Sequence, residues 1–163
     1  LEEIGRAETE QDFLEIRSEL REAGFLKKQG KKEPRQWAAR PREFRTSGGF
    51  LVLVGRNNRQ NDHLTLREAD HRDLWLHTQK LHGSHVILRT GGQAVGEDDL
   101  VEAAKLAAWY SQARESGNVP VDYARVKDVK KPAGARPGMV VYTKYQTVNV
   151  TPEEALVKQL KIR

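Results

Sequence analysis

The segment Phe50 to Val54, FLVLV, is apolar on both of its faces and rich in valine. Branched side chains favour extended backbone, and a strand that is apolar on both faces must be covered on both sides. It therefore belongs in the middle of a sheet, which makes the chain a sheet-builder before anything else is known. Asp73 to Thr78 alternates, with Leu74 and Leu76 facing one way and Asp73, Trp75 and His77 the other. His85 to Arg89 reads as a further strand, and Gly83 in the connection makes the two a hairpin. Val121 to Val126, Met139 to Tyr142 and Thr147 to Val150 have the same character.

Helical signals are fewer. Leu100 to Arg114 carries Leu100, Ala103, Ala104, Ala107 and Ala108 on one small-residue face, with Asp99 and Glu102 at capping spacing. Thr65 and Glu68 are spaced as a capping box for a short helix. Thr151-Pro152-Glu153-Glu154 combines a cap, an early proline and acids against the dipole. These elements define an α+β class: a single mixed sheet of about five or six strands packed with two or three helices. An N-terminal helical extension precedes it, from about Glu10 to Ala23, capped by Thr9 and striped by Phe13, Ile16 and Leu20.

The charge is unevenly spread. Residues 1–22 hold eight acidic and three basic side chains, whereas residues 23–45 hold eight basic and two acidic. Pro34 and Pro41 interrupt the second stretch, which reads as a basic linker over 29–45 with Trp37 as its anchor. The folded body is expected over 46–163. Arg125, Lys127, Lys130, Lys131, Arg136 and Lys144 form a second basic stretch against Asp128 alone. Clustered positive charge attracts phosphate chains or acidic surfaces, and a merely solvated face stands as the alternative. The chain has no cysteine, which excludes disulfides, thiolate metal sites and cysteine nucleophiles and suits a reducing compartment. Its apolar runs are far too short to cross a bilayer. It begins at Leu1 rather than methionine, as a piece of a longer protein would.

Two groups of residues carry recognisable chemistry. Arg56, Asn57, Asn58, Arg59, Gln60 and Asn61 form a polar segment directly after the central strand. Arginines grip phosphates in fork geometry and amides read base edges, but asparagines equally close turns on their own backbone. The segment lacks the glycines and lysine of a phosphate loop. The second group is DLWLHT with GSHVIL, where Trp75, His77, Ser84 and His85 surround one short connection. An aromatic plane beside imidazoles can stack and hydrogen-bond an unpaired base. The same histidines, with Lys80, would serve an acid–base nuclease, and His63, His71 and His82 would extend a metal cluster, though no spacing matches a zinc motif. Trp75 as core filler and histidines as structural hydrogen-bonders remain the plainer readings. No nucleophile elbow surrounds Ser84.

SGGFLVLVGRNNRQND, LTLREADHRDLWLHTQ, GSHVIL, EAAKLAAWYS and VPVDYARVKDVKKPAGARPGMVVY occur in this order. Together they resemble the NFACT-R domain of RqcH-like proteins from about Thr46 to Pro152, with residues 1–28 similar to the end of the preceding coiled coil. The resemblance implies a cytoplasmic RNA-binding module, not an enzyme, with neither cofactor nor metal. Its implied partners are the large ribosomal subunit, rRNA, tRNA and the remaining domains of the same protein. Such proteins bind obstructed large subunits and support tRNA-dependent, mRNA-free tailing of stalled nascent chains. An older label in the family makes a fibronectin-binding surface adhesin the alternative. The RNA contacts expected from it fall on Arg56 to Asn61, on Trp75, His77, Ser84 and His85, and on Arg125, Lys127, Lys130 and Lys131.

Overall fold

The computed structural model describes residues 40–162. The N-terminal helix, the coiled-coil end, Trp37 and residues 29–39 of the linker lie outside the described residues.

Six strands form one sheet in the order β1-β2-β4-β3-β5-β8. They are β1 (Arg42–Arg45), β2 (Leu51–Val54), β3 (Leu74–Thr78), β4 (Val86–Arg89), β5 (Val119–Arg125) and β8 (Gln146–Val150). Every pairing is antiparallel, so the α+β class and strand number are as expected but the sheet is not mixed. β2 is an interior strand, flanked by β1 and β4, while β4 and β3 hold the centre. β6 (Val129–Lys130) and β7 (Val141–Tyr142) make a separate two-stranded ribbon. Met139 and Val140, expected in a strand, instead approach it through the turn that Met139 N–H closes on Arg136 O.

β1 lies inside the stretch assigned to the linker. Its sequence, REFR, holds one apolar residue among charges, and that residue suffices: Phe44 is fully buried and pairs opposite Val52. An edge strand needs only one covered face, so charge on the other face does not exclude it. The β1–β2 turn is fastened from a distance. Helix α2 (Glu97–Trp109) presents Asp99, which accepts from Gly48 N–H at 2.8 Å, and Glu102, which accepts from Ser47 N–H at 2.8 Å. Those two acids, read as a capping pair, hold a hairpin instead, and the residue at the helix N-cap is Gly96. Thr151 likewise accepts from Asn118 N–H and does not cap α3 (Glu154–Leu160).

Both faces of the sheet are covered. On one face Val52, Val54, Leu76, Val86, Leu88 and Val121 meet α2 and α3. Ala103, Ala104, Ala107 and Ala108 let α2 approach closely, and all four are buried. On the other face Leu53, Trp75 and Ile87 pack with Leu64, Val126 and Val129. The chain end returns to the free edge of β1, where Ile162 N–H donates to Glu43 O at 2.8 Å.

The polar segment after β2 is a helix start. Helix α1 (Asn58–His63) is capped by Asn57, whose Oδ1 accepts from Gln60 N–H at 2.9 Å. A π-helical turn over Leu64–Glu68 follows, closed by Ala69 N–H on Leu64 O. The expected cap at Thr65 is thus eight residues late, because Asn57 already supplies it.

Candidate functional site

α1, the end of β3, the turn after it and the 137–142 arm border a half-open cavity of about 320 Å³. Asn58, Trp75, His77, His85 and Tyr142 line it, with Lys80, Leu81, His82 and Met139 towards its mouth. Trp75 and His77 are two residues apart on one strand, so their side chains share a face. Their rings stack at 5.6 Å with 3° between planes. The His85 ring stands edge-on to both, 5.4 Å from Trp75 and 5.6 Å from His77. Tyr142 lies against Trp75 at 4.6 Å. Trp75 is 1% exposed, so it is a core residue that reaches a cavity and not an open stacking platform.

The imidazoles are tied to the fold. His85 Nε2 faces Gly138 O at 3.1 Å, an atom that only accepts, so this nitrogen carries the proton. Nδ1 then accepts from the Thr65 hydroxyl at 2.8 Å. Burial and the neighbouring His77 hold the His85 pKa down to about 3. His77 faces two carbonyls, Nδ1 to Thr78 O at 2.7 Å and Nε2 to Gly83 O at 3.2 Å. A neutral ring donates to one of them, and the closer is Thr78. Burial lowers the His77 pKa, opposing the charged form that would donate to both. Behind these rings the buried Asp122 carboxylate accepts from Tyr142 Oη at 2.5 Å, Thr147 Oγ1 at 2.7 Å and Gln79 Nε2 at 3.0 Å. Desolvation and this carboxylate push the Tyr142 phenol up, so it stays protonated and donating.

The cavity therefore unites four of the expected residues: Asn58, Trp75, His77 and His85. Three amides serve the backbone. Asn57 caps α1, Gln60 Oε1 accepts from Arg56 N–H at 2.7 Å, and Asn61 Oδ1 accepts from His85 N–H at 3.1 Å. All three are nearly fully buried, and these oxygens are engaged within the fold. Arg56 Nε donates to Arg40 O at 2.7 Å, outside the cavity. Arg59 borders a neighbouring groove with Asp62 and Lys131. Ser84 donates through its backbone to Tyr110 O and does not line the cavity. Arg125 sits elsewhere, on the α2 side, with Leu74, Tyr123 and Glu97. Lys127 and Lys130 are exposed. Lys131 is a clamp: its Nζ meets Asp62 at 3.1 Å and the Arg136 carbonyl at 2.6 Å. Among the described residues no three of the His, Asp or Glu side chains converge as a metal site would require.

Tyr142, Asp122 and Gly138 escaped the sequence reading. The one signal was a lone carboxylate inside the otherwise apolar strand VPVDYA, since a buried charge needs partners. Close packing makes Gly55 testable here, with Gly134 as the contrast. A Cβ on Gly55 would sit 1.9 Å from Asn61 Oδ1, which already holds His85 N–H. Gly55→Ala is expected to cost about 1–3 kcal/mol in denaturant unfolding from this clash, whereas any cost of Gly134→Ala comes from its left-handed backbone, φ 78°, alone. Gly134 has nothing within 4 Å of an added Cβ.

The described residues thus define an α+β domain, a six-stranded antiparallel sheet with an aromatic–imidazole cavity at one end and exposed lysines on its surface. The family model described as the NFACT protein RNA binding domain matches residues 40–144, and the chain belongs to that family. Among its relatives is the Rqc2 homolog RqcH of Bacillus subtilis, 44% identical over 153 residues, 92% of this chain and 26% of that one. The Rqc2 homolog RqcH of Streptococcus suis is 40% identical over 148 residues, 91% of this chain and 27% of that one. The chain thus spans about a quarter of the length of these relatives. The solved C-terminal region of the fibronectin/fibrinogen-binding protein from Streptococcus suis superposes with a TM-score of 0.81 at 38% identity, over 98% of this chain and 63% of that one.

Proposed function

We propose that this chain is the RNA-contacting part of a ribosome quality-control factor, a binding module without catalysis of its own. The observation that carries this is the family match over residues 40–144, which spans the cavity and the basic ribbon together. In this reading the module helps its parent protein engage an obstructed large ribosomal subunit through rRNA or tRNA, in the cytoplasm, and supports mRNA-free tailing of the nascent chain. A binding role fits histidines whose nitrogens are turned to structural partners rather than to an open site. Among the described residues no helix is long and apolar enough to cross a membrane.

Salt dependence tests the reading. Affinity for structured RNA falls with salt, each contacted phosphate adding roughly 0.7–0.9 to the log–log slope. Lys130→Glu reduces that slope by about one and weakens all RNA ligands alike. Lys131 is a poor target, because its ion pair with Asp62 belongs to the fold. Affinity indifferent to salt counts against the reading. Tight, RNA-independent binding to fibronectin favours the second one, suggested by what the Streptococcus suis neighbour is said to bind.

A further inference from the structure

Of the buried side-chain polar atoms, Trp75 Nε1 has no hydrogen-bond partner among the described residues. The polar rings packed around it have partners: His77 and His85 in carbonyls and Thr65, Tyr142 in Asp122. A buried, unpaired donor costs about 1–3 kcal/mol, and the residue that carries it is one of those lining the cavity. The cavity is at the small end of the ~300–1,000 Å³ range of small-ligand clefts, which suits one planar group and excludes a helix or strand. Leu81 and Met139, 37% and 46% exposed, are the exposed apolar residues of its lining. Lys80, also of the lining, has a left-handed backbone conformation, φ 58°, that lysine rarely adopts.

We propose that this cavity receives one unpaired nucleobase of a bound RNA. The inference rests on the RNA-binding reading above and names the element recognised. The base enters between Leu81 and Met139, and its acceptor edge takes the Trp75 indole N–H. Asn58 meets its polar edge, and Lys80 with His82 faces the adjoining phosphate. The indole nitrogen is closed to solvent, so the side chains over it must move as the base enters. Such a site selects single-stranded or bulged RNA over duplex, whose bases are stacked and paired.

The chain has three tryptophans, hence three indole N–H signals in a ¹H–¹⁵N spectrum, and Trp75→Phe identifies the relevant one. A mixed-sequence single-stranded hexaribonucleotide is expected to shift the Trp75 signal and slow its solvent exchange. A blunt duplex of the same sequence binds through the lysines and leaves that signal in place. The ratio of hexamer to duplex affinity falls about tenfold in Trp75→Phe, which loses the donor. It falls about threefold in Lys80→Gly, which loses the cation while relaxing the backbone. A ratio is read because partial unfolding lowers both affinities together. If both RNAs bind but the signal and the ratio stay unchanged, the cavity is not a base site and the module reading survives. If neither binds at low salt, the module reading falls and takes this inference with it. A short peptide that shifts the Trp75 signal where the hexamer does not overturns the inference in favour of a peptide ligand.

Discussion

Trp75→Ala is expected to lower stability by about 3–5 kcal/mol, read as a fall in the denaturant midpoint with little change in slope. The indole is 1% exposed and is gripped by His77, His85 and Tyr142 as well as by Leu53, Leu64 and Ile87. Removing it empties the centre of the second core and leaves three polar rings facing a void. For a domain stable by about 5–15 kcal/mol this is a large share, so loss of any ligand binding in Trp75→Ala would report unfolding. Trp75→Phe separates the two effects. Its indole N–H has no partner to lose among the described residues, so it forfeits volume alone and costs less than half as much. A Trp75→Ala cost below about 1 kcal/mol would mean that the ring is not the buried centre described here.

The second large effect is on the acid side. His85 is held at a pKa of about 3 by burial and by His77, against roughly 6.5 in an unfolded chain. The unfolded state therefore binds the extra proton first as pH falls. The stabilisation is complete above pH ~6.5 and is lost progressively as pH drops towards the folded value near 3. Between pH 8 and pH 5 His85 alone accounts for about 2 kcal/mol, and the lowered His77 adds to it in the same direction. Urea unfolding at the two pH values measures the difference. His85→Gln cannot titrate, so the difference shrinks by about 2 kcal/mol even though the variant is weaker at pH 8, where Thr65 and Gly138 lose their ring partner. An unchanged pH dependence in His85→Gln would place the ring in water.

The strands with a clear period were legible from residue pattern alone. Alternation put Trp75 and His77 on one face, and the glycine-containing connection brought His85 back beside them, because a hairpin leaves little choice of register. The family was equally legible, since several motifs in fixed order constrain a chain far more than composition does. What the pattern could not settle was the use of groups with two possible partners. Asn57, Gln60 and Asn61 hydrogen-bond backbone as readily as bases, and only the approach of His85 N–H and Gly55 to Asn61 decided for the backbone. Asp99 and Glu102 had capping spacing, yet the β1–β2 turn, some fifty residues earlier, claimed both. Tyr142 entered the site because a separate ribbon folds over the sheet, a placement that no local period encodes. Sequence thus determined which residues are extended, helical or apolar, and which could share a strand face, because those depend on neighbours in the chain. Tertiary structure decided which polar groups are spent on the fold and which border a cavity, because that depends on partners brought near only when the sheet closes.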